Sequence, residues 1–432
     1  MIIRMFLTAT LLLVFMTLPT WANSFNEAKL AAESGDSAAQ YSLALKYDNG
    51  EGVIQNYAEA IRWYKLAAEQ GYAPALFDLG LKYTFGKGVP HDDKEAVRWF
   101  RPAAEQGHAG AQHILGIMYA NGKGLSQNDK EATKWYRLAA EQGLAGAQFQ
   151  LSTMYDEGLG IPQNDKEAVT WCRLAAEQGL AAAQFQLGCK YSSGQGVPQN
   201  KTEATKWTRL AADQGFANAQ SVLGLMYSTG TGVPQSYTEA VKWYRLAAAQ
   251  GFSNAQFDLG LMYSTGNGVT QSYKEAARWF RPAAEQGHAD AQYMLSTMYA
   301  SGQGVSQNHT EATKWIRLAA EQGVANAQYL LGSMYAIGKG VLKSDKESVQ
   351  WFRLAAEQGH ADAQYLLGAM YYAGKGISQS SKESYAWWLV AAANGNENAK
   401  NNTDKLRGNM TSEQVDQAQL LAKSIWARTN GE

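Results

Sequence analysis

An all-α solenoid of helix-turn-helix units is the fold class predicted by three features of this 432-residue chain. The stretch 135–143, W-Y-R-L-A-A-E-Q-G, returns at a fixed step of 36 residues. Its tryptophan recurs at Trp63, Trp99, Trp135, Trp171, Trp207, Trp243, Trp279, Trp315, Trp351 and Trp387, with no insertion or deletion between copies. A lock-step period of this length marks stacked supersecondary units, each burying its apolar face against its neighbours. Within each unit the apolar residues follow helical spacing. Only eight prolines occur, which suits a mostly helical chain. Hydrophobic content of 46% with 18% charge indicates a folded chain, and a repeat array escapes the size limit of a single core.

Taken in order, residues 1–22 read as a secretory signal peptide. Arg4 supplies the positive start, an apolar run follows from Met5 to Leu18, and Thr20-Trp21-Ala22 places small residues at the cleavage site. The run is too short for a comfortable membrane span. The mature protein is therefore expected in a bacterial periplasm or secreted, with no stable membrane span after cleavage. Residues 23–35 form an N-terminal capping helix, with Ser24 and Glu27 at capping-box spacing.

Residues 36–395 hold ten units. In the unit 109–143, helix A carries Ala111, Leu115, Met118 and Tyr119 on one face. Gly116 lies inside it, in a slot restricted to Gly, Ala or Ser in every unit, which predicts close approach of another helix, through its Trp. The loop Gly122-Lys123-Gly124-Leu125 reads as a turn with positive φ; no strand precedes it, so a phosphate-binding reading fails. Helix B opens with Asn128 and Glu131 at capping-box spacing, a pairing present in all ten units. Its buried side is expected to carry Ala132, Trp135, Tyr136, Leu138 and Ala139, with Arg137 and Glu141 paired on a wetter face. Gly143 ends it. Pro102 and Pro282 replace the Leu138-type residue and predict a kink. Residues 396–432 form C-terminal capping helices, the last opened by Thr411 and Gln414.

Chemistry-bearing residues are sparse. Cys172 and Cys189 fall on neighbouring helices and read as two small buried hydrophobes, with a disulfide as the alternative. The six histidines form no ligand-spaced set, and three of them (His108, His288 and His360) share one slot after the helix-B glycine. No catalytic, metal or cofactor motif emerges, and none of these is expected. Net charge of −1 argues against nucleic acid as partner.

The unit A-x-A-Q-x-x-L-G-x-M-Y-x-x-G-x-G-V-x-x-[NSD]-x-x-E-A-x-x-W-[YF]-R-L-A-A-E-Q-G resembles the Sel-one-like repeat, a relative of the tetratricopeptide repeat. The resemblance implies an α/α right-handed superhelix and a monomeric scaffold or adaptor for a protein or peptide partner. It associates exported bacterial members with envelope and host-interaction processes. A cysteine-rich branch of the family is linked to β-lactam binding and hydrolysis. This chain lacks that branch's cysteine pair in each repeat, so an envelope enzyme or binder acting on β-lactam or peptidoglycan-type substrates is the alternative rather than the first reading. In this repeat class helix A lines the concave side. Among helix-A positions, the slot of Ile114 changes freely between units, reading Asp78, Ile114, Gln150, Gln186, Val222, Asp258, Met294, Leu330 and Leu366 from the second unit onward. These nine residues are the candidate partner-binding groove, and the ten tryptophans are assigned to structure.

Overall fold

A computed structural model describes residues 20–430, with side chains from 25 to 429. The segment expected to be a signal peptide lies outside the described residues except for Thr20, Trp21 and Ala22. Twenty-three α-helices and no strand occur among the described residues. The first helix, Thr20–Glu33, begins ahead of Ser24 and so takes that residue into its body rather than using it as a cap. Twenty helices of 13 residues follow as ten A–B pairs, from Ser37–Asn49 and Tyr57–Glu69 to Ala361–Ala373 and Ser381–Ala393. The C-terminal helices are Glu397–Arg407 and Ser412–Asn430. Two compact units result, one ending at Ala211 and one beginning at Ala212. Within each, consecutive helices pack on one another.

Local chemistry accounts for the helix ends. Asn128 Oδ1 accepts from the amides of Lys130 and Glu131 at 3.1 and 3.2 Å. Only this half of the capping box forms in the repeats. The Asn128 amide donates to the Tyr119 carbonyl of helix A, at 2.9 Å. Glu131 is thereby released, and pairs with Lys134 one turn on. The complete box forms at Thr411 and Gln414, each amide donating to the other's side chain. Gly122 caps helix A in the left-handed region at φ 66°. Gly124 has a second requirement: a Cβ there would lie 2.2 Å from the Asp93 carbonyl oxygen of the preceding helix B. The G-x-G loop is therefore a contact between repeats as well as a turn.

The core differs in detail from the expected one. The residue packed on the helix-A glycine is the one after the tryptophan. A Cβ on Gly116 would meet Cδ1 of Tyr136 at 2.6 Å, and one on Gly80 would meet the Phe100 ring at the same distance. Tyr64, Phe100, Tyr244, Phe280 and Phe352 are accordingly among the largest fully buried side chains. Where the helix-A slot is serine, the partner is smaller: Ser152 goes with Cys172 and Ser296 with Ile316. Trp63, Trp135, Trp207, Trp315 and Trp387 are buried, whereas Trp99, Trp171, Trp243, Trp279 and Trp351 are half-buried. The tryptophan borders helix B's wet side, where the preceding cation covers its ring: Lys134 Nζ lies 5.4 Å from the Trp135 centroid.

Leu138 does not join the core. It and its counterparts Leu66, Leu174, Leu210, Leu246, Leu318 and Leu354 are exposed. Helices Asp93–Glu105 and Tyr273–Glu285 run through the half-buried Pro102 and Pro282 with the same length as their neighbours, and Phe100 and Ala103, and Phe280 and Ala283, stay buried. The expected Arg137–Glu141 pair is also replaced. Arg137 Nη2 donates to the Tyr155 hydroxyl of the next helix A at 2.9 Å, a bond repeated from Arg101 to Tyr119 and from Arg317 to Tyr335. A neighbouring helix offers the guanidinium a partly buried acceptor, which an exposed carboxylate one turn away does not match.

The E-Q-G close has a structural role that spans helices. Gln142 Nε2 donates to Gln112 Oε1 at 2.7 Å, and Gln112 Nε2 donates to the Ala104 carbonyl at 3.0 Å. One buried amide thus ties the ends of two successive B helices through the start of helix A. Cys172 and Cys189 are both free. Cys172 is buried with its Sγ 3.3 Å from the Ala183 carbonyl oxygen, but Cys189 is exposed, so neither the disulfide nor the second buried hydrophobe is realised.

Candidate functional site

All nine groove residues are half-buried. At Asp78 and at Leu330 the slot lines a cleft between its own A helix and the A helix of the preceding repeat, with the intervening helix B as its floor. They are not gathered into one pocket. Asp78, Ile114, Gln150 and Gln186 belong to the first compact unit, and Val222, Asp258, Met294, Leu330 and Leu366 to the second.

In the first unit the clefts carry charge. Asp78 helps to line a cleft of about 330 Å³ with Leu45, Asp48, Tyr64, Lys82 and Phe85. Tyr41 donates its hydroxyl to Asp78 Oδ2 at 2.9 Å. Lys82 forms an ion pair with Asp48 in which both side chains are largely covered, and burial raises the Asp78 carboxyl above the usual carboxylate range. Three repeats on, Lys190 forms an even more covered pair with Asp156, and Gln186 Nε2 donates to Asp156 Oδ2 at 2.8 Å.

These two lysines occupy the slot that the apolar pattern of helix A gives to Met118, so helical spacing alone does not single them out. The signal was there. The slot reads Lys46, Lys82 and Lys190 in three repeats and Met in the other seven, while aspartate occupies the Ala120 slot only at Asp48 and Asp156. Each aspartate stands one repeat before a buried lysine.

In the second unit the clefts are more apolar. Leu330 lines one of about 360 Å³ with Ile316, Met334 and Ile337. Ile337 at its rim is 69% exposed. Asp258 is the polar member of the row there. Burial raises its carboxyl pKa to about 6.

His108, His288 and His360 are helix-A N-caps. Each Nδ1 accepts from the amide three residues on, at 3.1, 3.3 and 3.2 Å, while the ring stacks on Phe77, Phe257 or Tyr329 of the preceding A helix. An accepting Nδ1 requires the unprotonated nitrogen, and burial lowers the pKa of His288 and His360. The unfolded chain then binds a proton more readily than the folded one. Stability from the His288 and His360 caps is complete above the unfolded-state pKa of about 6.5 and falls as pH drops through it. His288→Asn and His360→Asn keep a cap acceptor but not the titration. The expected result is a smaller fall in melting temperature between pH 7 and pH 5 than in the parent. Taking the difference from the parent cancels the opposite titration of Asp258. An equal fall in parent and variants would remove the caps from the account.

Among the described residues, no group of three or more His, Cys, Asp or Glu is placed to hold a metal, and no helix is long and apolar enough to cross a membrane. Paired helices in tandem, tied by interlocking amides, define an all-α repeat protein. The chain belongs to the Sel1-repeat family, whose repeat matches ten consecutive segments, from 37–72 and 73–108 to 361–396. Proteins of this repeat class are in general interaction scaffolds. No curated protein matches the chain. Among solved structures it is similar to Escherichia coli c5321, described as a protective antigen present in uropathogenic strains and displaying an SLR fold. Identity is 35%, over 94% of this chain and 97% of that one, with a TM-score of 0.65. It is also similar to a Sel1 repeat protein from Oxalobacter formigenes, at 35% identity over 73% of this chain and 93% of that one, with a TM-score of 0.57.

Proposed function

We propose that this protein is an exported, non-enzymatic scaffold that holds a protein or peptide partner along its helix-A clefts. The observation that carries this reading is the contrast between slots. The residues that pack one repeat on the next recur almost unchanged, while the half-buried row from Asp78 to Leu366 differs from unit to unit in charge, size and hydrogen-bonding capacity. Partly covered side chains with fixed surroundings lose little freedom on binding, which favours recognition there. Export rests on residues 1–22 as a signal peptide, and the description of the similar E. coli protein as an antigen accords with it.

Site-specific photo-crosslinking tests the reading. A photoreactive residue at Ile114 or Met294 is expected to capture a protein from the native envelope, and one at Leu138 or Leu318 on the outer side of helix B is not. Capture from the outer side alone, or from neither, overturns it. In a parallel chromogenic β-lactam assay the purified protein is expected to show no turnover.

A further inference from the structure

In the second compact unit, Asp258 stands at the slot that Asp78 occupies in the first. The chain supplies Asp78 with partners: the Tyr41 hydroxyl from the preceding A helix and the Lys82 ammonium one turn along. At Asp258 the corresponding positions are Ser221 and Met262. Its carboxyl makes no hydrogen bond or ion pair among the described residues, and burial alone accounts for its raised pKa. The Tyr244 hydroxyl feels its charge, and that hydroxyl lies 3.4 Å from Ser228 Oγ. A half-buried carboxylate without a counter-ion is costly to an isolated protein. On the preceding A helix of the same unit Val222 is half-buried and Leu225 is 51% exposed, and the Leu330 cleft with Ile337 at its rim lies two repeats on.

We infer that the helix-A face of the second unit receives a protein segment that places one basic side chain on Asp258 and apolar side chains on Leu225 and in the Leu330 cleft. The inference rests on the scaffold reading above and names the chemistry of its partner. Charge complementarity selects the occupant. An aliphatic stem ending in a guanidinium or ammonium group matches apolar walls around one unpaired carboxylate, whereas a purely apolar segment would leave that charge buried and unmet.

The full chain is panned against a random-peptide display library, and the binders are measured on the parent, on Asp258→Asn and on Leu330→Ala. Selected peptides are expected to carry an Arg or Lys next to aliphatic or aromatic residues. Their Kd should rise about tenfold or more on Asp258→Asn, the loss expected for a charged hydrogen bond, and should rise on Leu330→Ala also. Parent binding should weaken from pH 7.5 to pH 5 as the carboxyl takes up a proton. Folding does not confuse the result: Asp258→Asn removes a desolvated charge, so the free variant should melt higher than the parent at pH 7.5 and equally at pH 4. Binders that lack a basic residue, binders indifferent to Asp258→Asn, or an unchanged melting midpoint at pH 7.5 overturn this inference alone. A library that yields no binder overturns the scaffold reading with it.

Discussion

Lys190→Met is expected to destabilise the protein by roughly 3–5 kcal/mol, and adding Asp156→Ser is expected to restore most of that loss. The Lys190 and Asp156 side chains are 3% and 12% exposed. Removing the ammonium leaves the largely covered Asp156 carboxylate with, among the described residues, the Gln186 amide as its remaining side-chain donor. Uncompensated charge, rather than lost attraction, dominates the cost. The double variant removes the charge as well and reproduces the combination found elsewhere in the array, where Met226 follows Ser192 and Met262 follows Ser228 at the same two slots. Denaturant unfolding followed by circular dichroism reads the effect as a midpoint shift. A single variant that loses less than about 1 kcal/mol would mean that the pair is solvated like an ordinary surface bridge.

Phe100→Ala is expected to cost about 3–5 kcal/mol, and more than Trp99→Ala, although tryptophan is the larger residue. Phe100 is fully buried with its ring against the backbone of Gly80, while the neighbouring Trp99 is half-buried. Truncation at Phe100 opens a cavity between helices A and B of its repeat, and little can relax into it. The fit is reciprocal. Gly80→Ser alone should overpack the site by about 1–3 kcal/mol, since a Cβ at Gly80 lies 2.6 Å from the ring. Gly80→Ser with Phe100→Ile copies the Ser296–Ile316 pair of the eighth repeat and should be milder than the two single effects added. Melting curves of these four variants and of Phe100→Ile alone decide this. A larger loss at Trp99 than at Phe100 would return the deep position to the tryptophan.

These two cases show what could be read before the fold was known. The Gly116 slot announced a close approach, because only a small residue recurs there. It did not say which side chain arrives, since Trp135 and Tyr136 are adjacent on helix B and a shift of one residue in helix phase exchanges their roles. The variable slot of helix A was legible from internal comparison, and all nine members prove to be half-buried. Their chemistry was not. Asp78 and Asp258 look alike in a column of residues, and differ because Tyr41 and Lys82 surround the first while Ser221 and Met262 stand by the second.

By itself the sequence determined the 36-residue period, the alternation of two helices and the places where each begins and ends. Those features depend on offsets within a single helix or loop: an Asn side chain accepting from amides no more than three residues ahead, a glycine one step past the last turn, apolar residues every three or four positions. Tertiary structure decided the partners. Gln142 meets Gln112 across 30 residues, Arg137 meets Tyr155 across 18, and Lys190 meets Asp156 across 34. Such pairs become neighbours only when successive helices stack. Burial then strengthens a bond to a fixed partner on the next helix over an exposed one within the same helix, which is why Arg137 leaves Glu141 and why the cap amide of Asn128 leaves Glu131.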